Sequence, residues 1–210
     1  MAKLPASPAA VESVRERIIL EAASLINEVG YADFSMRKLG ARLGVAAKTI
    51  YNYFTDRDEL YLKVVTKGFE MLYDRFSEAR ASHDAPFMRL DAMARAYVSF
   101  GFGNPHLYSI MFSLGTPKYA DYVGKKHEAL AAHQNAVALE SAVLARELLE
   151  KVMKTSRRSR GDDPDYRLMQ LWSALHGIVS LSLSRVTLEV GDFTGAIDRM
   201  VDELLEWYRP

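Results

Sequence analysis

The sequence predicts an all-α protein in two parts, a three-helix domain with a helix-turn-helix over residues 1–56 and a larger helical domain over residues 57–210. Two observations predict this fold class. Apolar residues recur at spacings of three and four through most of the chain, which is the pattern of helices with one buried face. Glycines, prolines and capping residues separate these stretches, and helices begin and end at such residues. Together they predict about nine helices.

Composition narrows the class of protein. The chain has 210 residues, of which 49% are hydrophobic and 26% are charged, as in a globular protein with a sizeable core. It has no cysteine, which excludes disulfides and thiolate catalysis. The N-terminal arm lacks the apolar segment of a signal peptide, so we expect a cytoplasmic protein. The uncharged run between Arg167 and Arg185 contains Gln170, His176 and four serines, which predicts a buried helix rather than a membrane span.

The first predicted helix begins at or soon after Pro8, with Ser7 or Ser13 as its cap, and ends at Gly30. Its apolar stripe is Val14, Ile18, Ala22, Leu25 and Val29. These residues fall at spacings of three and four, so this helix buries one face and supports the segment that follows it.

The helix-turn-helix is predicted from Ser35 onward. Ser35 can cap a short helix with apolar residues at Met36, Leu39 and Leu43, and Gly44 ends it in the left-handed conformation. The second short helix follows at once.

That second helix is predicted to begin near Ala46 or Ala47. Ile50 and Phe54, four residues apart, form its inner face, and Val45 before it is expected in the core.

The outer face of the second helix carries residue types that contact DNA. A rotation of about 100° per residue places Lys48 and Asn52 opposite the inner face, with Thr49 and Tyr51 on its flanks. Lysine binds phosphate or guanine, asparagine pairs with adenine, and hydroxyls bind phosphate. Residues 34–55 carry four cations and no acid: Arg37, Lys38, Arg42 and Lys48. A positive surface is therefore local in a chain whose 27 basic and 27 acidic residues balance. A protein contact is the alternative, since short amphipathic helix pairs also serve that role.

The rest of the chain predicts six further helices. Thr55 and Asp56 each precede an acid by three residues, which is a capping signature for a helix reaching about Arg80. The later predicted helices cover about 87–101, 105–112, 120–153, 164–190 and 194–208. The loop at 154–165 is basic and then acidic, so we interpret it as a solvated loop rather than a second nucleic-acid site.

Residues 35–60, SMRKLGARLGVAAKTIYNYFTDRDEL, and the preceding ILEAASLINEVGY resemble the N-terminal domain of the tetracycline-repressor (TetR) family. The resemblance implies a DNA-binding domain. It implies phosphate contacts at Ser35, Thr49, Tyr51 and Arg57, and base contacts at Ala47, Lys48, Asn52 and Tyr53. Two positions depart from the family pattern: Ala46 lacks the usual hydroxyl cap, and Arg57 stands where lysine is usual.

Residues 104–112, NPHLYSIMF, and 171–181, LWSALHGIVSL, resemble the C-terminal effector domain of the Trp-His-Gly type within the same family. This resemblance implies a homodimer whose last two helices form a four-helix bundle, with a small-molecule cavity in each subunit. The expected protein is a repressor that binds a palindromic DNA operator and is released by a hydrophobic small molecule.

Two sets of candidate residues follow for that domain. The candidate ligand contacts are Tyr97, Phe100, Tyr108, Met111, Phe112, Trp172 and His176. Most such stripes of aromatic and Met residues are plain core, and a packed, hydrogen-bonded His176 is the alternative to a ligand contact. The candidate dimer contacts are Ser173, Gly177, Ser180, Ser184, Ile197, Val201 and Leu204. The first four form a stripe of small residues that lets a helix approach closely, and packing inside one subunit is the alternative.

Other classes of function remain open from the sequence. An activator or a ligand-independent DNA binder would share the N-terminal half, and an all-α enzyme or protein-interaction module is the second class. We expect no cofactor and no metal site, because His127 and His133 lie about 120° out of phase on a helix and no zinc motif occurs.

Overall fold

A computed structural model describes residues 7–112, 115–184 and 194–210. The described residues form ten α-helices and two 3₁₀ helices, Thr194–Ala196 and Glu206–Tyr208, without a strand. The α-helices are α1 Pro8–Asp33, α2 Met36–Leu43, α3 Ala47–Tyr51, α4 Arg57–Ala81, α5 Pro86–Gly103, α6 Pro105–Phe112, α7 Tyr119–Tyr122, α8 Glu128–Met153, α9 Pro164–Leu183 and α10 Ile197–Leu205. The predicted all-α class is confirmed.

The described residues form two compact units. The first comprises Met1–Gly68 and His106–Ala136, and the second comprises Phe69–Pro105 and Val137–Pro210. The helix-turn-helix therefore packs in one unit with α6, α7 and the start of α8. The functional division at residues 56 and 57 stays a prediction.

Helix α1 begins and bends at the residues that the sequence marks. Ser7 is the N-cap, and its hydroxyl accepts a hydrogen bond from the Ala10 amide at 3.2 Å. Gly30 has φ +79°, so the regular helix is interrupted there and one further turn reaches Asp33. The buried face starts at Ile18, because Val14 is 40% exposed. Val14 therefore does not belong to the predicted apolar stripe.

The start of α4 confirms the predicted capping signature. The Asp56 carboxylate accepts a hydrogen bond from the Glu59 amide at 2.9 Å. Glu59 in turn accepts hydrogen bonds from the amide and the hydroxyl of Thr55, at 2.7 and 2.6 Å. These bonds satisfy amides that have no partner within the helix.

Two predicted helices differ from the structure. The helix predicted from Ala120 to Met153 is broken after α7, because Gly124 has φ +74° and cannot continue a right-handed helix. Helix α7 is thus the tenth helix that the sequence did not predict. The helix predicted to reach Val190 ends at Leu183, and the remaining predicted positions, 185–190, lie outside the described residues.

In the second unit α5, α9 and α10 share an apolar core. Its buried side chains include Leu90, Met93, Leu171, Leu175, Val179, Val201 and Leu205. Arg95 of α5 also pairs with Asp198 at 3.0 Å and with Asp202, both on α10. No helix among the described residues is long and apolar enough to cross a membrane.

Candidate nucleic-acid interface

The turn between α2 and α3 requires two glycines for different reasons. Gly44 has φ +68°, the left-handed conformation that ends α2. Gly40 lies where a Cβ atom would be 2.8 Å from the Val45 carbonyl oxygen, so the two backbones touch. The Val45 amide donates a hydrogen bond to the Gly40 carbonyl at 2.9 Å. The Val45 side chain is 40% exposed, so the prediction that it belongs to the core is wrong: its backbone, not its side chain, makes the contact.

Helix α3 is short and lacks a side-chain cap. It spans Ala47–Tyr51, and Ala46 at its N-cap position makes no capping bond, as expected from its missing hydroxyl. Phe54 is buried as predicted, yet it lies beyond the end of the helix, in a turn where the Phe54 amide donates to the Ile50 carbonyl at 3.1 Å. The buried side chains of Ile50 and Phe54 therefore hold α3 in place by tertiary packing.

The outer face of α3 is exposed. Ile50 is fully buried, whereas Lys48, Thr49, Tyr51 and Asn52 are exposed, and these four residues form what we call the recognition face. The predicted rotation of the helix is thus confirmed. Of the other candidate DNA contacts, Arg37 is exposed, and Ser35, Ala47, Tyr53 and Arg57 are partly exposed.

Some of the candidate residues already have structural roles. The Ser35 hydroxyl caps α2 by accepting a hydrogen bond from the Lys38 amide at 3.2 Å. The Tyr53 carbonyl accepts a hydrogen bond from Arg15 of α1, whose guanidinium lies 4.5 Å from the centre of the Phe54 ring. Arg15 therefore holds the segment that follows α3 against α1, a contact that sequence reasoning missed.

The positive charge of the surface is smaller than the sequence suggests. Arg42 pairs with Glu21 at 3.0 Å and with Glu28 at 2.6 Å, two carboxylates of α1. The Lys38 ammonium donates to the Asp33 carbonyl at 2.8 Å. Arg37 and Lys48 form no ion pair with any residue that the structure describes. Of the four predicted cations, Arg42 is the one that carboxylates of the described residues offset, and Lys38, whose bond to a carbonyl leaves its charge in place, remains available to a polyanion with Arg37 and Lys48.

Arg57 lies at the edge of this surface, at the first residue of α4. Its guanidinium stacks 4.6 Å from the centre of the Tyr31 ring and lies 3.7 Å from Asp58. The Tyr31 hydroxyl donates to the Asp58 carboxylate. Burial, and then the bond to Asp58, raises the pKa of Tyr31, so this hydroxyl stays protonated and keeps donating. The Arg57 side chain is 41% exposed, and these contacts fix its direction.

A second group of charges meets at the cap of α4. The Asp56 carboxylate accepts hydrogen bonds from Lys126 at 2.6 Å and from His127 Nε2 at 2.8 Å, and we call these three residues the Asp56 cluster. Burial alone raises the pKa of Asp56, but the bonds from Lys126, the Glu59 amide and His127 together hold that pKa well below its usual range. Asp56 is therefore ionised at neutral pH.

The candidate ligand residues fall into two groups. Tyr97, Trp172 and His176 meet in the second unit. The Trp172 indole donates to the Tyr97 hydroxyl at 3.0 Å, and that hydroxyl lies 3.2 Å from His176 Nδ1. Burial lowers the pKa of His176. Phe100 is buried in the same unit.

Tyr108, Met111 and Phe112 belong to α6 in the first unit. The Tyr108 and Phe112 rings are 4.9 Å apart. The Met111 sulfur packs against Gly68, where an added Cβ atom would be only 2.5 Å from it.

The candidate dimer residues also differ from one another. Ser173 and Ser184 are exposed, and a Cβ atom on Gly177 would meet nothing within 4 Å. Ser180 is partly buried and its hydroxyl lies 3.1 Å from His176 Nε2. Val201 is only 1% exposed in a single chain, so it packs inside the subunit and is removed from the predicted interface. Ile197 and Leu204 are partly exposed.

Helix α3 is the second helix of a helix-turn-helix, and its outer face is exposed and flanked by cations. This arrangement is typical of one class of protein, the helix-turn-helix DNA-binding regulators. Residues 18–64 match the family described as "Bacterial regulatory proteins, tetR family", and residues 90–206 match "Tetracyclin repressor-like, C-terminal domain". The second match alone covers more than half of the chain. This chain therefore belongs to the tetR family of bacterial regulatory proteins and is a transcriptional regulator, not an enzyme. Its assignment to the Trp-His-Gly type stays a prediction.

Three known proteins illustrate the similarity. An uncharacterized HTH-type transcriptional regulator of Mycobacterium tuberculosis, Rv0681, is 28% identical over 176 residues, which cover 82% of this chain and 71% of the relative. The solved structure of the fatty acid degradation regulator FadR from Bacillus halodurans is 19% identical, has a TM-score of 0.69 and covers 91% of this chain and 94% of that one. The ketosteroid transcriptional regulator KstR2 of M. tuberculosis is 14% identical, with a TM-score of 0.67 and coverage of 93% and 92%. At these identities the two structures establish the shared fold alone.

Proposed function

We propose that this protein is a ligand-responsive repressor that binds a palindromic operator as a homodimer. The recognition face carries the proposal: Lys48 and Asn52 are exposed opposite the buried Ile50, and Thr49 and Tyr51 are exposed on the flanks. An element of this size enters the major groove, where lysine and asparagine contact base edges and hydroxyls contact phosphates. Ser35, Arg37 and Arg57 flank the face as phosphate contacts, and Ala47 and Tyr53 lie beside it. Because the protein would act on chromosomal DNA, we place it in the cytoplasm.

The homodimer rests on the outer face of α9. Four large apolar side chains on this helix are exposed in a single chain: Tyr166, Met169, Trp172 and Leu181. Gly177 lies among them with open space around it. Exposed apolar side chains along one helix are typical of a surface that a second subunit covers, and a twofold partner would place two recognition faces on one duplex.

The ligand response rests on the polar group that Tyr97, Trp172 and His176 form beside the apolar core of the second unit. A hydrophobic ligand with one hydrogen-bonding group fits such surroundings. A ligand that prefers a conformation with a different spacing of the two recognition faces would weaken operator binding without contacting DNA. A transcriptional activator would have the same recognition face and the same ligand site, and would differ only in whether ligand binding lowers or raises transcription.

The direct test is selection of DNA from a bacterial genome that encodes this protein. Purified protein is mixed with genomic fragments at near-physiological salt, and the bound fragments are sequenced. We expect enrichment of a palindromic site, and loss of that enrichment in Lys48→Ala. Lys151→Ala removes an exposed lysine from the second unit and serves as the control, which should select the same site. Equal enrichment by both variants would remove α3 as the recognition helix. A panel of hydrophobic compounds, screened by thermal shift and then by release of the selected DNA, tests the ligand response.

A further inference from the structure

The start of α4 has two conflicting electrostatic requirements. Three acids, Asp56, Asp58 and Glu59, lie at the cap and first turn of this helix, where carboxylates satisfy free amides and complement the helix dipole. The same turn follows the recognition face directly, since Asp56 is four residues beyond Asn52 and next to Arg57. Uncompensated carboxylates there would repel the phosphates of a bound duplex.

Each of these acids has a partner that offsets its charge or occupies its oxygens. Glu59 accepts hydrogen bonds from the amide and hydroxyl of Thr55, and Asp58 accepts one from Tyr31 beside Arg57. The partners of Asp56 come from a distant segment of the chain. Lys126 and His127 lie about seventy residues further on, in the turn between α7 and α8.

The local structure of that turn presents the two side chains together. Gly124 has φ +74° and ends α7, and its amide donates to the Glu128 carboxylate at 2.9 Å. The Glu128 amide donates to the Lys125 carbonyl at 3.1 Å. The Lys126 side chain is 69% exposed and the His127 side chain 13% exposed, so His127 packs inside the first unit while Lys126 lies at its surface.

We propose that Lys126 and His127 are positioning residues for DNA recognition, which neutralise Asp56 and fix the cap of α4 beside the recognition face. The inference rests on the proposed DNA-binding function and adds to it a segment outside the helix-turn-helix. Neither residue contacts DNA in this proposal. Lys126 offsets a negative charge that the helix cap requires and that DNA would oppose. His127 holds the carboxylate on the side of the α7–α8 turn.

The test compares two neighbouring lysines. Lys126→Gln uncovers the Asp56 charge, whereas Lys125→Gln removes the same charge from an exposed residue that forms no ion pair with the described part of the chain. Binding is measured by fluorescence anisotropy on a labelled duplex containing the site that the wild-type protein selects. At about 50 mM salt we expect Lys126→Gln to weaken binding about fivefold and Lys125→Gln about twofold at most, with the difference shrinking at about 200 mM. Lys126→Arg should bind as the wild type does.

A second substitution separates charge from structure. Asn caps helices as well as Asp does, so Asp56→Asn keeps the bond to the Glu59 amide and removes the charge. We expect Asp56→Asn to restore the binding of Lys126→Gln to within about twofold of the wild type, although it does not restore the lost contact. A purely structural role of Lys126 predicts no such rescue.

Three results would overturn the inference. If Lys126→Gln and Lys125→Gln lose the same amount of DNA affinity, Lys126 acts only through the overall charge of the protein. If Asp56→Asn does not rescue the DNA affinity of Lys126→Gln, neutralisation of Asp56 is excluded. In both cases the wild-type protein still binds its site and the proposed function stands. A wild-type protein that selects no DNA would overturn the proposed function and this inference with it.

Discussion

Replacement of Gly40 by alanine is expected to destabilise the protein by about 2 kcal/mol, the balance of three effects. A Cβ atom at residue 40 would lie 2.8 Å from the Val45 carbonyl oxygen and 3.1 Å from the Ala47 amide nitrogen. Both are backbone atoms, so no side-chain rotation removes the overlap, and α2 must move away from the start of α3. Overpacking of this kind costs about 1–3 kcal/mol.

The other two effects nearly cancel. Alanine is favoured over glycine inside a helix by about 1 kcal/mol. The displaced turn weakens the hydrogen bond from the Val45 amide to the Gly40 carbonyl, which is 2.9 Å long and contributes about 1 kcal/mol. The overlap therefore decides the sign. Because the overlap displaces α3 itself, Gly40→Ala should also weaken DNA binding.

Gly68→Ala is the matched control, because it makes the same change inside α4 with a different neighbour. Its Cβ atom would lie 2.5 Å from Sδ and 2.9 Å from Cγ of Met111, which are atoms of a flexible side chain and not of the backbone, so a rotamer change of Met111 can relieve the overlap. We expect its stability to stay within about 1 kcal/mol of the wild type, since the gain in helix propensity offsets the repacking. Urea unfolding followed by circular dichroism measures both variants. A Gly40→Ala protein as stable as the wild type would refute the assignment of a backbone contact between α2 and α3.

Three further predictions follow from the charges and the exposed faces. If Arg37 and Arg57 are the charged phosphate contacts of each subunit, the logarithm of DNA affinity should fall with the logarithm of salt concentration at a slope of about −4 for a dimer, and removal of Arg57 should reduce it by about 0.9 per subunit. The lowered pKa of Asp56 stabilises the folded state above the unfolded pKa of 3.8, and this contribution is lost as the pH falls below that value, so acid unfolding of Asp56→Asn should depend less on pH. Gly177→Leu has open space within the subunit, so it should leave the fold intact yet yield monomers in analytical ultracentrifugation; a dimeric variant would place the interface elsewhere.

Local signals predicted the helix-turn-helix well. Ser35, Gly44 and the buried Ile50 act through neighbours within one or two helical turns, so their roles can be recognised from the sequence. Phe54 shows the limit of the same reasoning. Its spacing from Ile50 predicted burial correctly, but the pattern could not distinguish a helix from the turn that replaces it, because both place the side chain on the same side.

Errors arose where distant segments decide the outcome. Arg42 appeared in the sequence as part of a positive stretch without acids, and its partners Glu21 and Glu28 lie on the preceding helix. The single residue Gly124 broke a helix that apolar periodicity predicted as continuous, since the period on either side is the same. The Asp56 cluster had no local signal, because Lys126 and His127 lie about seventy residues from Asp56 in the chain.

The net charge around the recognition face therefore depends on how the first unit packs, and cannot be read from residues 34–55 alone. Arg42 adds a positive charge to the stretch of sequence, yet its two carboxylate partners compensate that charge in the folded unit. Asp56 is an acid by count, and Lys126 offsets it from a segment that the sequence places elsewhere. The two corrections have opposite signs, and Arg37, Lys38 and Lys48 form no ion pair with any residue that the structure describes. A helix start that requires acids can thus lie beside a surface that must attract phosphates.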